Sequence, residues 1–242
     1  MLESTEAVIL AGGQGTRLAP SLPQGWPKTL APIHGTPFLA HLLDHLYRRG
    51  LRRVTLCLGY GAAHVEEFLV QYPCPAGLSI QVVVESTPAG TAGALRAALA
   101  AVRTDPFFAL NGDTYSDIDL DDLLASHLQR GAAVSVALAL VDDVSGYGQI
   151  EVSADGRITR FGEKGPAKGR GFANAGTYVI NRAVVSRLSP ARALSWEREV
   201  LPRHAGCALY GLACCRWFVD IGTPESLQLA ASAIAQHAES AQ

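Results

Sequence analysis

The sequence predicts an α/β protein with a mixed, mainly parallel sheet flanked by helices and a small β-rich insert. In the first half, short apolar runs alternate with helical patterns, the order that produces parallel strands joined by helices. The second half contains alternating runs around a turn signal, which is typical of an antiparallel hairpin. The chain has 242 residues, 48% hydrophobic and 17% charged. That length and composition allow a sizeable core and argue against disorder.

In the first half, predicted strands are continuous apolar runs, and predicted helices repeat apolar residues every three or four positions. In chain order these elements are a strand over 7–10, a helix over 38–46 stopped by Gly50, a strand over 54–58, a helix over 62–69, a strand over 80–84, an alanine-rich helix over 91–102, a strand over 107–110, a helix over 120–129 and a strand over 133–141.

From residue 149 the alternation of predicted strands and helices gives way to a pair of predicted strands. The runs 149–152 and 157–161 flank Ala154-Asp155-Gly156, and Asp-Gly between alternating runs predicts a hairpin. Strands over 175–180 and 209–219 and a terminal helix over 225–235 follow. No linker or internal repeat divides the chain, so a single domain over 1–242 is expected.

Charge and composition exclude several classes of protein. With 20 Lys and Arg against 22 Asp and Glu, the net charge is -2, which argues against binding nucleic acid through bulk charge. No apolar run reaches the roughly 20 residues of a membrane span, and the start of the chain does not resemble a secretory signal. Five cysteines without CxxC spacing are typical of reduced thiols. These features predict a cytoplasmic protein that does not interact with a membrane.

A glycine-rich loop follows the first predicted strand, as Ala11-Gly12-Gly13-Gln14-Gly15-Thr16-Arg17-Leu18. Glycines at this place let backbone N–H groups approach a phosphate closely. Arg17 and Lys28 would add charged donors. The loop is neither a P-loop, because Gly-Lys-Ser/Thr is missing, nor a dinucleotide fingerprint, because Leu18 stands where the third glycine belongs. From the residues alone, a tight turn with two solvated cations stays an alternative.

Two acidic residues end predicted strands. Asp113 closes Asn111-Gly112-Asp113, and Asp220 precedes Ile221-Gly222. Open α/β sheets place ligand chemistry at the carboxyl ends of their strands, and two such carboxylates with phosphate oxygens would suit Mg²⁺. The alternative for Asp113 is to cap the following turn.

The ordered motifs resemble those of the sugar-1-phosphate nucleotidyltransferases, the nucleoside-diphosphate-sugar pyrophosphorylases. The resemblance covers Ala7 to about Leu229. Its motifs are Gly12-Gly13-Gln14-Gly15-Thr16-Arg17-Leu18, Pro27-Lys28, Gly90-Thr91-Ala92-Gly93, Asn111-Gly112-Asp113, Tyr147-Gly148, Glu163-Lys164, Asn174-Ala175-Gly176 and Asp220-Ile221-Gly222-Thr223-Pro224. It implies a Rossmann-like nucleotide-diphospho-sugar transferase fold, with a nucleotide-binding half over about 1–115, a sugar-phosphate-binding half over about 116–225, and a C-terminal helix and tail over 226–242.

The resemblance also implies roles for single residues. Arg17, Lys28 and Asp113 would be catalytic, and Asp113 and Asp220 would hold Mg²⁺. The nucleotide would be bound by Leu10, Ala11, Gly12, Gly13, Gln14, Gly15, Thr16, Arg17, Lys28, Glu85, Gly90, Thr91, Asn111 and Gly112. The sugar 1-phosphate would be bound by Tyr147, Gly148, Glu163, Lys164, Asn174, Ser195 and Glu197.

The implied reaction joins a sugar 1-phosphate to the α-phosphate of an NTP and releases pyrophosphate. The nucleophile is already an anion, so the step needs positioning and charge stabilisation rather than a general base. The sequence departs from the family pattern at two places in the nucleotide loop. The stretch from Arg17 to Lys28 is about one residue longer than usual, and Thr29 replaces a frequent proline.

Within the family, the chain resembles the D-glycero-D-manno-heptose 1-phosphate guanylyltransferases. The likeness lies in 33–39, 42–44, 58–60, 195–199 and 218–224. It implies the conversion of heptose 1-phosphate and GTP to GDP-heptose, for lipopolysaccharide, capsule or S-layer glycan. The segment 195–199 is equally well explained as a helix start with Ser195 as N-cap.

Two alternatives stay open. Uridylyl-, thymidylyl- or other guanylyltransferases acting on a hexose or N-acetylmuramate 1-phosphate share most of these motifs. A non-catalytic regulatory protein that binds a nucleotide or sugar phosphate is another class, although it would not need two metal-binding carboxylates. The resemblance is compatible with a homodimer or homotetramer, because family members are often dimers or tetramers, and it leaves the oligomeric state open.

Overall fold

The computed structural model of the protein describes residues 1–164, 168–189 and 192–240, and for 163–164 and 237–240 it describes the backbone only. The strands are β1 (Glu6–Ala11), β2 (Pro32–Ile33), β3 (Thr36–Pro37), β4 (Arg53–Leu58), β5 (Ser79–Val84), β6 (Phe107–Asn111), β7 (Thr114–Ile118), β8 (Val134–Val141), β9 (Gly148–Val152), β10 (Ile158–Lys164), β11 (Gly171–Ile180) and β12 (Leu209–Asp220). The helices are α1 (Phe38–Arg48), α2 (Ala62–Gln71), α3 (Gly90–Ala98), α4 (Leu120–Arg130), α5 (Arg182–Ser186), α6 (Leu201–His204) and α7 (Pro224–Ser240).

One mixed sheet contains all of the strands except the small hairpin β2–β3. Its main order is β5-β4-β1-β6-β11-β8-β12-β7, and the hairpin β9–β10 joins through β11. The strands β5, β4, β1 and β6 are parallel, as are β8 and β12. β11 is antiparallel to both β6 and β8. The predicted α/β class with a mixed sheet is confirmed, and the sheet is parallel mainly in its first half.

The sheet curls back on itself. Only Gly112 and Asp113 separate β6 from β7, yet three other strands lie between β6 and β7 in the sheet. A two-residue connection can join strands so far apart in order only if the sheet bends round to bring its end near β6. The curl therefore brings the last strands of the chain back to the nucleotide-binding half predicted from the sequence.

Most predicted elements are present with small shifts at their ends, and the hairpin at Asp155-Gly156 is confirmed by the antiparallel pair Ile158–Val152. The alanine-rich helix, predicted over 91–102, ends at Ala98. Beyond it, the N–H groups of Arg103 and Thr104 bond the Glu6 carboxylate rather than continuing the helix. Burial would raise the pKa of Glu6, but these N–H groups and Arg53 hold it below its ordinary value.

The sequence analysis missed β7 and α5, as well as the small hairpin β2–β3 and the short helix α6. The β7 segment contains Ser116 and Asp117, which interrupt its apolar pattern, although both are buried. Asp117 is neutralised in place by Arg49 and by Arg216, whose Nη1 lies 3.4 Å from Asp117 Oδ2. Partners so distant in sequence cannot be deduced from the local pattern.

Buried apolar side chains form one cluster on each face of the sheet. The first packs α1, α2 and α4 around β1 and β4, and the second packs α3 and α5 against β6, β8 and β11. The two clusters hold the sheet between layers of helices and leave the carboxyl ends of its strands open. None of the helices in the described ranges combines the length and apolar character needed to cross a bilayer.

Candidate functional site

The loop after β1 is held against the loop after β4 at a backbone-to-backbone distance. A Cβ on Gly59 would lie 2.9 Å from the Gly12 carbonyl oxygen, and the Tyr60 N–H bonds that oxygen at 3.2 Å. Side chains at positions 12 and 59 would force the loops apart. Because β1 and β4 are parallel neighbours, both loops leave the same edge of the sheet and form one wall of the cavity described below.

The next turn of the loop packs against Lys28. Gly15 has φ +59°, and its carbonyl accepts the N–H groups of Leu18 and Ala19 at 2.9 and 3.0 Å. A Cβ on Gly15 would lie 3.0–3.2 Å from three side-chain carbons of Lys28. Lys28 is therefore held beside the glycine loop, where its ammonium faces the end of β6.

Two carboxylates lie beside the two predicted phosphate-binding cations. Lys28 Nζ forms an ion pair with Asp113 Oδ2. At the end of β12, a Cβ on Gly222 would lie 2.9 Å from Arg17 Nη2 and 2.8 Å from Asp220 Oδ1. Asp220 is oriented by the Gly222 N–H at 2.8 Å.

The curl of the sheet brings the two carboxylates to neighbouring strand ends. Asp220 pairs with Thr114 in the register of β12 and β7, and the Ile221 N–H bonds the Asp113 carbonyl at 2.9 Å. Within the described ranges, no group of three or more His, Cys, Asp and Glu side chains forms a metal cage. Asp113 and Asp220 are the carboxylates here that could hold a cation such as Mg²⁺, with phosphate oxygens and water as further ligands.

Glu85 lies just after β5, at the far end of the same edge. Its Oε1 is buried without a hydrogen-bond partner. Burial raises the pKa of the Glu85 carboxyl, and the Ala89 backbone N–H opposes that rise. A carboxylate held in this way has an unused acceptor, which a ligand with N–H groups would satisfy.

The loop at the start of α3 is joined to the segment after residue 193. The Leu194 N–H donates to the Ala89 carbonyl, and the Leu194 carbonyl accepts the Ala92 N–H, both at 3.0 Å. Thr91 Oγ1 accepts the Trp196 N–H at 2.8 Å. Gly90 has φ +73°, and a Cβ there would lie 2.4 Å from the Leu194 carbonyl oxygen. These two segments form one continuous wall.

The predicted helix start at Ser195 is present. Ser195 Oγ accepts the Arg198 N–H at 3.2 Å, and Glu199 Oε2 accepts the Ser195 N–H at 2.8 Å. The segment Trp196–Val200 is a π-helical turn, a conformation often found at functional sites. The capping role does not remove the segment from the site, because Trp196 and Glu197 face the cavity.

These walls enclose a cavity of about 620 Å³, the size of a ligand pocket. The predicted site residues that line it come from both proposed substrate regions, and they are Leu10, Gly12, Gly13, Gln14, Lys28, Glu85, Gly90, Thr91, Asn111, Asp113 and Glu197. The structure therefore gathers most of the predicted nucleotide-binding residues in one place.

Other predicted residues lie beside this cavity or elsewhere. Ala11 and Gly112 are buried under it, and Asn174 reaches Glu197 from β11. Gly15, Thr16, Arg17, Gly148 and Ser195 lie outside its lining, and Tyr147 and Asp220 line a second cavity of about 580 Å³. The side chains of Glu163 and Lys164 lie outside the described residues.

Sequence reasoning missed five lining residues: Gly59, Tyr60, Pro88, Ala94 and Trp196. Gly59 and Tyr60 follow a parallel strand directly, so the rule that ligands bind at the carboxyl ends of strands could have found them. Trp196 lies in the segment 195–199 that the resemblance points to, but it was not named as a site residue, because its place depends on contacts with Thr91 and with the Tyr178 ring, whose centroid is 6.1 Å away.

The stretch between Arg17 and Lys28 packs onto α2. The ring centroids of Trp26 and His64 lie 6.1 Å apart, and a Cβ on Gly61 would lie 2.6 Å from Pro27 Cδ. Thr29, which stands where proline is frequent, is buried and its hydroxyl has no hydrogen-bond partner. The longer loop is therefore packed against the fold, and Lys28 remains at the cavity.

A glycine loop at the edge of a parallel sheet, with two cations beside two carboxylates, is typical of α/β proteins that bind the phosphates of a nucleotide. The chain belongs to the nucleotidyl transferase family, whose model matches residues 6–237.

Three relatives are similar over most of the chain. A mannose-1-phosphate guanylyltransferase of Mycobacterium tuberculosis is 36% identical over 91% of this chain and 62% of its own length. The D-glycero-alpha-D-manno-heptose 1-phosphate guanylyltransferase of Aneurinibacillus thermoaerophilus is 32% identical over 93% of this chain and 96% of its own length. The crystal structure of HddC from Yersinia pseudotuberculosis matches with a TM-score of 0.84 and 32% identity, over 95% of this chain and 99% of that one. A structure of HddC complexed with GMP-PN matches with a TM-score of 0.82. The chain thus spans about three fifths of the mannose relative.

Proposed function

We propose that the protein is a sugar-1-phosphate guanylyltransferase, which joins a sugar 1-phosphate to the GMP portion of GTP and releases pyrophosphate. The observation that carries the proposal is the shared cavity. Its lining includes the glycine loop, Lys28 and Asp113 together with Glu85, whose Oε2 would lie 3.3 Å from a Cβ at Gly12. Phosphates need the first set, and a purine base with N–H donors needs the second.

Glu85 favours guanine over the pyrimidine bases. The edge of guanine carries two adjacent donors, N1–H and the N2 amino group, and an ionised carboxylate can accept both. Uracil and thymine offer one N–H between two carbonyl oxygens, which a carboxylate would repel. The place of Glu85 in the cavity lining supports a guanine site on these grounds. The guanylyltransferase relatives support it independently.

The residues of the cavity would act by positioning and by neutralising charge. An oxygen of the sugar 1-phosphate attacks the α-phosphorus of GTP. A new P–O bond forms, the bond to the bridging oxygen breaks, and pyrophosphate leaves with the electron pair. Lys28 and Arg17 would hold the phosphates against their mutual repulsion, and Lys164 is proposed to hold the sugar phosphate. The backbone amides of the glycine loop would orient the triphosphate.

Asp113 and Asp220 fit a magnesium site, because two carboxylates at adjoining strand ends leave room for phosphate oxygens as further ligands. When bound, Mg²⁺ would supply positive charge to the phosphates. In this arrangement Lys28 would bind two different groups in turn. It neutralises Asp113 in the free protein, and it is available to the α-phosphate once another cation replaces it.

For the sugar, we propose D-glycero-D-manno-heptose 1-phosphate. The support is the similarity to the heptose relative, which extends over 96% of that protein. Mannose 1-phosphate is the second candidate, and it is favoured by the 36% identity to the mannose-1-phosphate guanylyltransferase. A product of this kind would be used in glycan synthesis. The predictions of a cytoplasmic location and of a homodimer or homotetramer remain predictions.

The test is a crossed panel of pyrophosphate release. GTP, ATP, UTP, CTP and dTTP are each combined with heptose 1-phosphate, mannose 1-phosphate, glucose 1-phosphate and N-acetylmuramate 1-phosphate in the presence of Mg²⁺. We expect release with GTP and heptose 1-phosphate. A preference for UTP or dTTP would refute the guanine assignment, and no release from any pair would refute the enzyme.

A variant separates catalysis from folding in the same assay. Asp113→Ala should lose turnover while it keeps the circular dichroism spectrum and cooperative unfolding of the wild type. The fold should survive because the Asp113 side chain is half-exposed and the hydrogen bonds that hold the neighbouring residues are mainly backbone bonds. Unfolding of this variant would support the capping role of Asp113 instead.

A further inference from the structure

Tyr60 presents a large aromatic side chain to the cavity that no other part of the fold uses. Its side chain lines the cavity and is 39% exposed, whereas Trp196, the other aromatic residue of the lining, is fully buried. Among the described residues, the Tyr60 hydroxyl has no hydrogen-bond partner and its ring has no aromatic or cationic partner. An aromatic ring left open in a concave site is typical of a surface that a ligand covers.

The backbone of Tyr60 is fixed on both sides by close packing. Its N–H donates to the Gly12 carbonyl at 3.2 Å, in the glycine loop. On the other side Gly61 has φ +69°, and a Cβ there would lie 2.6 Å from Pro27 Cδ and 2.8 Å from the Gly25 carbonyl oxygen. The ring therefore projects from a fixed point of the cavity wall, which reduces the conformational entropy lost when a ligand covers it.

Glu85 lies one strand away from Tyr60 at the same edge of the sheet. Leu58 and Val84 are partners in the parallel pair β4–β5, and the Glu85 N–H bonds the Leu58 carbonyl at 2.9 Å. A Cβ on Gly12, whose carbonyl bonds the Tyr60 N–H, would lie 3.3 Å from Glu85 Oε2. Because neighbouring strands lie about 4.8 Å apart, a planar base whose edge meets this carboxylate comes within reach of the Tyr60 ring.

The chemistry of a phenol ring selects the base over the other parts of a nucleotide. The faces of an aromatic ring carry partial negative charge and repel phosphates, whereas they stack well on nucleobases. Every base has a face that can stack, but the two rings of a purine cover more of a phenol than the single ring of a pyrimidine does. A stacked ring therefore reads the size of a base, while a carboxylate reads the donors along its edge.

We propose that Tyr60 stacks on the base of the nucleotide and favours purines over pyrimidines, while Glu85 separates guanine from adenine. Adenine presents a ring-nitrogen acceptor beside its amino group, which an ionised carboxylate repels. This inference rests on the proposed function and adds to it a residue that contacts the face of the base. Tyr60 would thus provide a part of base selection that does not depend on hydrogen bonds.

The test measures nucleotide binding without a sugar phosphate, so it does not depend on turnover. Titration calorimetry with Mg²⁺ gives the affinity for GTP, and displacement of GTP gives the affinities for ATP and UTP. We expect Tyr60→Leu to bind GTP about 5- to 100-fold more weakly than the wild type, and Tyr60→Phe to bind it equally well. Tyr47→Leu makes the same change outside the cavity lining and should leave all three affinities unchanged.

The pattern across the three nucleotides identifies stacking. In Tyr60→Leu, ATP should weaken as much as GTP and UTP should weaken less, so the ratio of GTP to UTP affinity falls while the ratio of GTP to ATP affinity holds. In the proton spectrum of bound GMP, the guanine H8 resonance should lie further upfield with the wild type and Tyr60→Phe than with Tyr60→Leu. Tyr60→Gln provides a second non-aromatic variant should Tyr60→Leu fail to fold.

Three results would overturn the inference. One is an unchanged GTP affinity in Tyr60→Leu, and another is an equal loss in Tyr60→Phe, which would assign the contact to the hydroxyl. The third is an equal loss for GTP, ATP and UTP, which would mean that Tyr60 contacts the ribose or the phosphates. A wild type that binds GTP but releases no pyrophosphate with any sugar phosphate would overturn only the proposed function, and the expected pattern of binding would still support base stacking.

Discussion

Replacing Glu85 by glutamine should alter the choice of nucleotide base. In the free protein burial raises the pKa of the Glu85 carboxyl, the Ala89 backbone N–H opposes that rise, and Oε1 is buried without a hydrogen-bond partner. When GTP binds, we expect the two donors of guanine to face the carboxylate. Glutamine offers one acceptor and would direct its amino group at a base N–H. A hydrogen bond to a charged group contributes about 1.5–3 kcal/mol. That loss corresponds to about a 10- to 150-fold decrease in kcat/KM for GTP.

For UTP the expected effect has the opposite sign. The glutamine amide can accept from the base N–H and donate to a neighbouring carbonyl, so kcat/KM for UTP should hold or rise. The assay is pyrophosphate release with each nucleotide at fixed heptose 1-phosphate. Glu66→Gln, on the exposed face of α2, makes the same charge change away from the cavity and should leave both values unchanged. An unchanged ratio of GTP to UTP in Glu85→Gln would refute the reasoning.

The stability of the same variant provides an independent check. Because burial raises the pKa of Glu85, the folded protein binds its proton more readily than the unfolded chain does. Ionised Glu85 therefore lowers the free energy of unfolding at neutral pH, and this cost disappears as the pH falls through the raised pKa. Glu85→Gln should unfold at a Tm no lower than the wild type at pH 7 without nucleotide. A clear decrease in Tm would mean that the carboxylate stabilises the fold.

Three further predictions concern other parts of the molecule. Lys28→Met should abolish turnover. Without nucleotide the variant should bind Mn²⁺ more tightly than the wild type, because Asp113 loses its ion-pair partner. Electron paramagnetic resonance of free Mn²⁺ measures this binding, and weaker binding by the variant would contradict the prediction. Gly90→Ala should lower the free energy of unfolding, measured in urea, by about 1–3 kcal/mol, because the new Cβ would lie 2.4 Å from a carbonyl oxygen. Gly13→Ala is the control and should change the free energy of unfolding little, because a Cβ at Gly13 has no neighbour within 4 Å. Burial lowers the pKa of His127 below its ordinary 6.5, so the unfolded chain takes up the proton first and stability should fall as the pH drops below about 6.5. His127→Gln should reduce that loss between pH 7 and 5, and an equally steep profile would exclude His127 as its source.

The parallel half of the fold could be predicted because local and global signals agree there. The apolar runs of β1 and β4 are buried on both faces, and α1 shows its buried stripe directly in the sequence. The end of α3 could not be predicted, because the chain just beyond it bonds to distant residues, among them Glu6, which accepts the Thr104 N–H at 2.9 Å. Arg182, from α5, also bonds the Leu99 carbonyl at 3.3 Å.

Part of the candidate site could likewise be predicted from the sequence, and part of it could not. The glycine loop and the strand-end acids follow from chain order, and the structure places Gly12, Lys28 and Asp113 around one cavity. The hydrogen bond from Tyr178 to Glu197 requires a bulge in β11 and a π-helical turn, and neither has a reliable sequence signal. Contacts of this kind depend on tertiary structure, so residues such as Tyr178 were not identified from the sequence.

The curl of the sheet also sets the order in which the protein can be completed during synthesis. β6 and β7 leave the ribosome together, but β7 pairs only with β12, which is made last among the strands. Until then β7 has an unpaired edge, and Asp113 lacks the strand that carries Asp220. A nascent chain that already contains the whole glycine loop would therefore have an incomplete site. We expect activity to appear late in synthesis, when β12 closes the sheet.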